Sequence, residues 1–178
     1  MNRILNALAF QSAWWALVAG VGWGLEWPAM IYGALLACVH LFVTAQRLPE
    51  IQLALLVMLM GIVMDSLLQF FSVLRFEGSA LFPLSPWWLW MLWLLFGLTL
   101  NSSMAFLKSQ PWFFSAALGA LFGPINYIAG AKLGAADVVQ TLPNIAVLAL
   151  SWMLALPLMV RAAHFLCPSA AAPSHVTP

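Results

Sequence analysis

Residues 51–74 read IQLALLVMLMGIVMDSLLQFFSVL, and Asp65 is the only charged side chain among them. An α-helix needs about 20 predominantly apolar residues to cross the hydrocarbon core of a bilayer. The stretch meets that requirement. It therefore predicts a transmembrane helix that carries a carboxyl group well away from either end.

The same pattern continues along the chain, with polar residues and prolines clustered at the breaks. The predicted spans are residues 4–25, 29–45, 51–74, 87–107, 112–131 and 141–165. The first run is too long for the core of a signal peptide, so we interpret it as an uncleaved helix. The prediction is an all-α, polytopic transmembrane bundle of about six helices. It forms one domain over residues 1–166, with a disordered tail rich in Ala, Pro and Ser at 167–178.

Composition excludes an ordinary soluble fold. The chain is 65% hydrophobic and 6% charged, whereas about a quarter of the residues in a typical soluble domain are charged. Six Lys and Arg with five Asp and Glu are too few to cover a water-facing surface, so lipid is the natural surrounding medium. We therefore predict membrane lipid as the partner, with another inner-membrane protein as a further possible partner.

Several chemical classes lack the residues they require. The basic residues are scattered and the net charge is +1, so we predict no nucleic-acid partner. The three His and two Cys do not have the spacing of metal ligands. No nucleophile elbow, phosphate loop or paired-acid motif is present. We predict no metal and no cofactor, and the chain gives more indication of a non-enzyme than of an enzyme.

The basic residues also predict an orientation, since cytoplasmic loops carry an excess of Lys and Arg. With the N-terminus inside, four basic residues are cytoplasmic and two, Arg75 and Lys132, are external. The cytoplasmic set is Arg3, Arg47, Lys108 and Arg161. Three acids, Glu26, Glu77 and Asp137, then lie outside. Both termini are therefore predicted to be cytoplasmic.

Asp65 is the most informative residue for function. A carboxyl group inside a transmembrane helix is costly and usually faces a cavity or a partner. Gly61 and Gln69 lie one turn to either side of Asp65, so this face of the helix is small and polar. Asp65 could hydrogen-bond a neighbouring helix and fix its register, or it could handle a ligand or a proton. The sequence leaves both interpretations open.

A second polar group occurs where Pro124 interrupts the fifth predicted helix. Proline frees a backbone carbonyl there, and Asn126 and Tyr127 add polar side chains. At about 1.5 Å per residue, Asp65 and Asn126 each lie about 21 Å from the cytoplasmic start of their helices. The two are therefore predicted at similar heights, in the outer half of the membrane.

These heights predict a polar, ligand-binding cluster that opens towards the outer face. Its members are Asp65, Gln69, Asn126, Tyr127, Lys132, Glu26 and Asn144. The alternative is a set of unrelated interhelical hydrogen bonds and helix-end residues. Catalytic residues cannot be assigned.

Two further features have simpler interpretations. Gln11, His40 and the run Asn101-Ser102-Ser103 form a smaller polar group towards the cytoplasm, and a lone His in such a helix is usually a packing residue. The aromatic run at 87–93 indicates a membrane-interface belt with lipid-facing packing. A platform for a hydrophobic ligand is the alternative for that run.

Over about residues 2–161 the chain resembles a family of small bacterial inner-membrane proteins defined only as a domain of unknown function. The resemblance is carried by Asn6, Phe10-Gln11, Gly61-x-x-x-Asp65, Pro86-Trp87-Trp88-Leu89, Gly123-Pro124-x-x-Tyr127-x-x-Gly130 and Leu133-Gly134-Ala135. It implies a bacterial inner membrane. It also implies a loose association with genes for cyclopropane-type fatty-acid methyltransferases and flavin oxidoreductases. No catalytic residues follow from it.

Three function classes remain. The first is an accessory component that binds lipid or a partner protein in envelope or fatty-acid modification. The second is a small-solute or proton-linked transporter that uses Asp65 and the break at Asn126 and Tyr127. The third is an intramembrane lipid-modifying enzyme with Asp65 as acid or base, which needs a second titratable group within about 3 Å.

Overall fold

The computed structural model describes residues 2–167. Six α-helices account for most of that range. They are α1 Arg3–Gly22, α2 Glu26–Val43, α3 Arg47–Phe70, α4 Trp87–Gly97, α5 Trp112–Lys132 and α6 Leu142–Leu166. Five of these helices, all except α4, are long and apolar enough to cross a membrane. The predicted all-helical bundle of a membrane protein is therefore confirmed.

The fourth predicted span differs from the structure. The helix ends at Gly97, and the chain continues through turns to a 3₁₀ helix at Ala105–Ser109. Irregular backbone at membrane depth is tolerated where protein buries it. Here Leu98, Thr99 and Leu100 are almost completely buried, and short turn hydrogen bonds link the backbone groups of this stretch. The apolar composition of residues 87–107 predicted a crossing segment but not the break within it.

Two ends of the bundle can be distinguished. At one end, which we call the sheet end, strands β1 Leu74–Phe76 and β2 Ala136–Val138 pair antiparallel, with Arg75 opposite Asp137. At the other end, which we call the Lys108 end, the 3₁₀ helix lies near the end of α6, and the Lys108 ammonium donates to the Cys167 carbonyl oxygen at 2.9 Å. The small sheet was not predicted, because three-residue strands are too short to show a periodic pattern.

Helix α4 lies at the centre of the bundle. It packs against α3, α1 and α2, while α5 packs along α6. Glycines permit the closest approaches: a Cβ at Gly97 would meet the backbone of Ala54, and a Cβ at Gly119 would overlap the Trp152 carbonyl. Small residues are a usual means of bringing membrane helices together.

Polar caps and prolines account for several helix ends. Asn2 caps α1 by accepting from the Ile4 backbone N–H at 2.9 Å, and Thr141 caps α6. Proline residues precede α4 and α5, which begin directly after Pro86 and Pro111. The predicted tail lies outside the described residues except for Cys167, which is buried.

Candidate functional site: a buried carboxyl beside an aromatic cavity

Asp65 is completely buried in α3, and two aromatic side chains satisfy its oxygens. The Trp93 indole N–H donates to Oδ2 at 2.6 Å. The Tyr127 hydroxyl donates to Oδ1 at 2.5 Å. Asp65 therefore joins three helices, since Trp93 belongs to α4 and Tyr127 to α5. Each oxygen of the carboxyl group thus accepts one hydrogen bond from an aromatic side chain.

The glycines beside this group explain how it is assembled. A Cβ at Gly61 would overlap the Trp93 ring, so the glycine one turn before Asp65 lets the indole lie flat against α3. A Cβ at Gly123 would likewise overlap Trp152 on α6. Trp93 and Trp152 stack on each other, with ring centroids 5.1 Å apart. Gly61 and Gly123 thus make room for indole rings rather than for the backbone of a neighbouring helix.

A cavity of about 400 Å³ lies beside these rings. Within residues 2–167, ten of its twenty-three lining residues are aromatic. Small-molecule sites in proteins span about 300–1,000 Å³ and are lined mainly by apolar and aromatic groups with a few polar ones. The cavity fits that description. Its volume, near the lower limit of that range, suits one hydrocarbon chain or one ring system of a small molecule.

The cavity opens between α1 and α5. These helices approach closely only near the sheet end, where Gly22 lies against the Leu133 carbonyl. No broader packing between α1 and α5 occurs within residues 2–167. Towards the Lys108 end they diverge, and the lining residues Gln11, Phe122 and Asn126 on the two helices are exposed. Both helices are long and apolar enough to cross a membrane, so the opening lies between two candidate spans.

The structure brings together only part of the predicted polar cluster. Tyr127 contacts Asp65, as the shared height suggested. Asn126 lines the same cavity, but its side-chain N–H donates to the Phe122 carbonyl at 2.9 Å, the backbone group that Pro124 leaves without its helical partner. The cluster is therefore reduced to Asp65 and Tyr127, with Asn126 at the edge of the cavity.

The other predicted members lie elsewhere. Gln69 accepts from the Phe76 backbone N–H at 3.3 Å and ties α3 to β1. Glu26 accepts from the Ser79 backbone N–H at 2.9 Å. Asn144 donates to the Val139 carbonyl at 3.0 Å, at the start of its own helix. Lys132 is exposed at the end of α5 and does not line the cavity. A shared height does not imply a shared face, which is why these members do not meet.

The aromatic wall is the part of the site that sequence reasoning missed. For Trp88 and Trp93, the prediction of lipid-facing packing is wrong: they are only 3% and 4% exposed. Helix α4 packs against α3, α1 and α2, so these two tryptophans contact other helices, whereas Trp87 is exposed. Trp88 donates to the Glu77 carbonyl at 2.9 Å. The sequence of α4 shows no periodic alternation of polar and apolar residues, because all its faces are aromatic or aliphatic.

A second polar network lies towards the Lys108 end. Asn6 Oδ1 accepts from both the backbone N–H and the hydroxyl of Ser103, at 3.2 and 2.6 Å. Because a backbone N–H can only donate, this contact fixes the orientation of the Asn6 amide. Its side-chain N–H then donates to His40 Nδ1 at 3.3 Å, which leaves the imidazole proton on Nε2. That nitrogen points to Glu50, 3.7 Å from Oε2.

Neighbouring charges extend this network. Burial lowers the pKa of the Lys108 ammonium below its ordinary value and raises the pKa of the Cys167 thiol. Both shifts favour the uncharged form, as expected for groups withdrawn from water. Within residues 2–167 there is no cluster of three or more His, Cys, Asp or Glu that could hold a metal ion. Hydrogen bonds therefore connect α1, α2 and the stretch after α4, and the 3.7 Å contact between His40 and Glu50, which is too long for a hydrogen bond, places α3 beside them.

Fold and site together define a class: a polytopic helical membrane protein that encloses an aromatic cavity next to a buried carboxyl group. Residues 3–158 match the family described as "Protein of unknown function (DUF2878)", so the chain belongs to that family. No curated protein and no solved structure matches the chain.

Proposed function

We propose that this protein binds one lipid-like molecule in the cavity between α1 and α5 and acts as an accessory component of envelope or fatty-acid modification. The observation that carries the proposal is the cavity of about 400 Å³ with its ten aromatic lining residues. An aromatic cavity that opens towards lipid favours a ligand that already resides in the bilayer.

Asp65 supports this proposal as a positioning residue. It has no exposed surface and holds Trp93 and Tyr127, which themselves line the cavity. Rigid aromatic side chains supply contact area with little loss of conformational entropy. The carboxyl group thus gives the cavity wall a fixed shape, which lowers the cost of ordering the site when a ligand binds.

The transporter alternative receives less support. It needs a water-connected path to Asp65, whereas the surroundings of this carboxyl are aromatic and leave it fully covered. An intramembrane enzyme is favoured by one observation, the 2.5 Å contact between Asp65 and the Tyr127 hydroxyl. That pair could exchange a proton with a substrate only after one of them turned towards the cavity.

The proposed setting is a bacterial inner membrane, crossed six times with both termini in the cytoplasm. The sixth crossing comes from α4 together with the irregular stretch that follows it. The Lys108 end, with Arg3 and Arg47, would then face the cytoplasm, and the sheet end would face outwards. The excess of basic residues at the Lys108 end supports this orientation.

Native mass spectrometry of protein released from detergent micelles tests the proposal. The wild-type protein is expected to retain one co-purified lipid-like molecule. Leu118→Trp places a large ring on a residue that lines the cavity and should abolish that adduct. Ala117→Trp is the matched control, because Ala117 is exposed on the same helix and does not line the cavity. Equal adducts on both variants and on the wild type would refute the proposal.

A further inference from the structure

The charge of the cavity lining restricts the chemistry of the ligand. Within the part of the chain that the structure describes, no Lys, Arg or His lines the cavity. A phosphate, sulfate or carboxylate headgroup held in such a site would have no counter-charge. The cavity is therefore unsuited to an anionic lipid head.

A cationic head also lacks a partner. Among the described residues, Asp65 is the one acid of the lining, but both its oxygens accept hydrogen bonds from Trp93 and Tyr127 and it has no exposed surface. A single aromatic face attracts a cation with about 0.5–2 kcal/mol. That attraction is smaller than the effective penalty of several kcal/mol for withdrawing an ion from water.

Two amides supply polar recognition at the opening, while deeper in the cavity the buried Trp152 indole N–H has no hydrogen-bond partner among the described residues. Gln11 is the ninth residue of α1, about 12 Å along a helix with 1.5 Å rise per residue, and so lies at the depth of the hydrocarbon. Its side chain is exposed and makes no hydrogen bond to the rest of the described chain. An amide left unpaired in hydrocarbon is unfavourable by several kcal/mol. Asn126, on the opposite side of the opening, makes no hydrogen bond through its side-chain oxygen within the described part of the chain.

We infer that the ligand is a neutral lipid whose head carries an uncharged oxygen, such as a hydroxyl, ketone or ester, and that Gln11 and Asn126 hydrogen-bond this head at the opening. The hydrocarbon part of the ligand then fills the aromatic cavity. This inference rests on the proposed function, since it specifies the ligand of the same cavity. Gln11 donates to a carbonyl or ester oxygen, and so does the side-chain N–H of Asn126 that is not bonded to the Phe122 carbonyl, while Asn126 Oδ1 accepts from a hydroxyl.

Three photoactivatable probes with the same long alkyl chain and a terminal diazirine test the inference in liposomes that contain the protein. One is a methyl ester, one an alkyl sulfonate and one an alkyl trimethylammonium. The methyl ester is expected to label cavity-lining peptides of α4, α5 and α6 about fivefold more than either charged probe. A difference of this size corresponds to the net contribution of about one hydrogen bond.

Matched variants locate the recognition. Gln11→Leu and Asn126→Leu should each reduce labelling by the ester about fivefold and leave labelling by the charged probes unchanged. Gln52→Leu is the control, because Gln52 is exposed on α3 and does not line the cavity.

The outcomes separate this inference from the proposed function. Equal labelling of the cavity by all three probes would overturn the inference that the ligand is neutral, while the proposed lipid binding would stand. Preferential labelling by the ammonium would overturn it in favour of an aromatic cage for cations. If no probe labels the cavity and the wild-type protein retains no lipid adduct, the proposed function itself fails.

Discussion

Asp65 shows how one residue can organise three helices. Its two oxygens accept from Trp93 on α4 and Tyr127 on α5, and Gly61 leaves the space for the first of these rings. The carboxyl group thereby ties the helix that carries it to the two helices that form the cavity wall. These contacts are interhelical hydrogen bonds, of the kind that fix the register of neighbouring helices.

Asp65→Asn should destabilise the protein by about 1–3 kcal/mol, because the amide nitrogen would face one of the two donors and leave it unsatisfied. Reversible unfolding in mixed micelles, followed by tryptophan fluorescence, measures the change. Asp137→Asn is the matched control, since Asp137 is exposed at the sheet end. An unchanged free energy of unfolding for Asp65→Asn would contradict the positioning role.

Combining Asp65→Asn with Tyr127→Phe should give a smaller loss than the sum of the two single variants, because both remove the same hydrogen bond. This comparison also bears on the enzyme alternative. A catalytic pair predicts that lipid turnover disappears in variants that still fold, whereas a positioning pair predicts that stability and ligand retention fall together.

At the level of the elements, the interruption after α4 is the least regular feature of the bundle. The irregular stretch from Leu98 to Met104 is joined to α1 and α2 through Asn6, which accepts from Ser103 and donates to His40. The backbone of this stretch lacks continuous helical hydrogen bonds. Side chains such as Asn6 therefore act as hydrogen-bond partners for some of its backbone groups.

Asn6→Leu should therefore destabilise the protein by about 1–3 kcal/mol, since it leaves the Ser103 N–H and hydroxyl without an acceptor. Asn6→Asp retains the accepting oxygen and should lose less. Asn2→Asp, at the exposed cap of the same helix, controls for the added charge. The measurement is the same unfolding transition in mixed micelles. Equal stability of Asn6→Leu and wild type would show that the polar groups of this stretch do not need Asn6 as a hydrogen-bond partner.

The whole molecule is asymmetric along its long axis. The Lys108 end carries four basic residues and one acid, which are Arg3, Arg47, Lys108, Arg161 and Glu50, whereas the sheet end carries two basic residues and three acids, which are Arg75, Lys132, Glu26, Glu77 and Asp137. The excess of Lys and Arg predicts that the Lys108 end is cytoplasmic. The opening between α1 and α5 then begins in the inner half of the membrane and is closed towards the outer surface by the contact of Gly22 with Leu133.

Single cysteines at Ser79 and Ser109, both exposed, test this orientation after Cys38 and Cys167 are replaced by alanine. In intact bacterial cells, a membrane-impermeant thiol reagent should label the Ser79→Cys protein. It should label the Ser109→Cys protein only after permeabilisation. The reverse pattern would invert the proposed topology without affecting the fold.

The sequence by itself determined the class of fold, because apolar stretches of about 20 residues in a nearly uncharged chain have few alternatives to spanning a bilayer. It also identified Asp65 and Tyr127, since an intramembrane acid and a proline break are unusual enough to be informative. These signals are local. They depend on composition and on distance along one helix, which are visible in a single chain.

Only the tertiary structure decided which side chains meet. Height along a helix can be counted from the sequence, but the face that each helix presents depends on packing, and uniformly apolar helices give no periodic signal. Lys132, Glu26 and Asn144 therefore lay at a suitable height but outside the cavity, while Trp93 and Trp152 line it. The cavity arises because α1 and α5 diverge, a long-range arrangement that no single segment encodes.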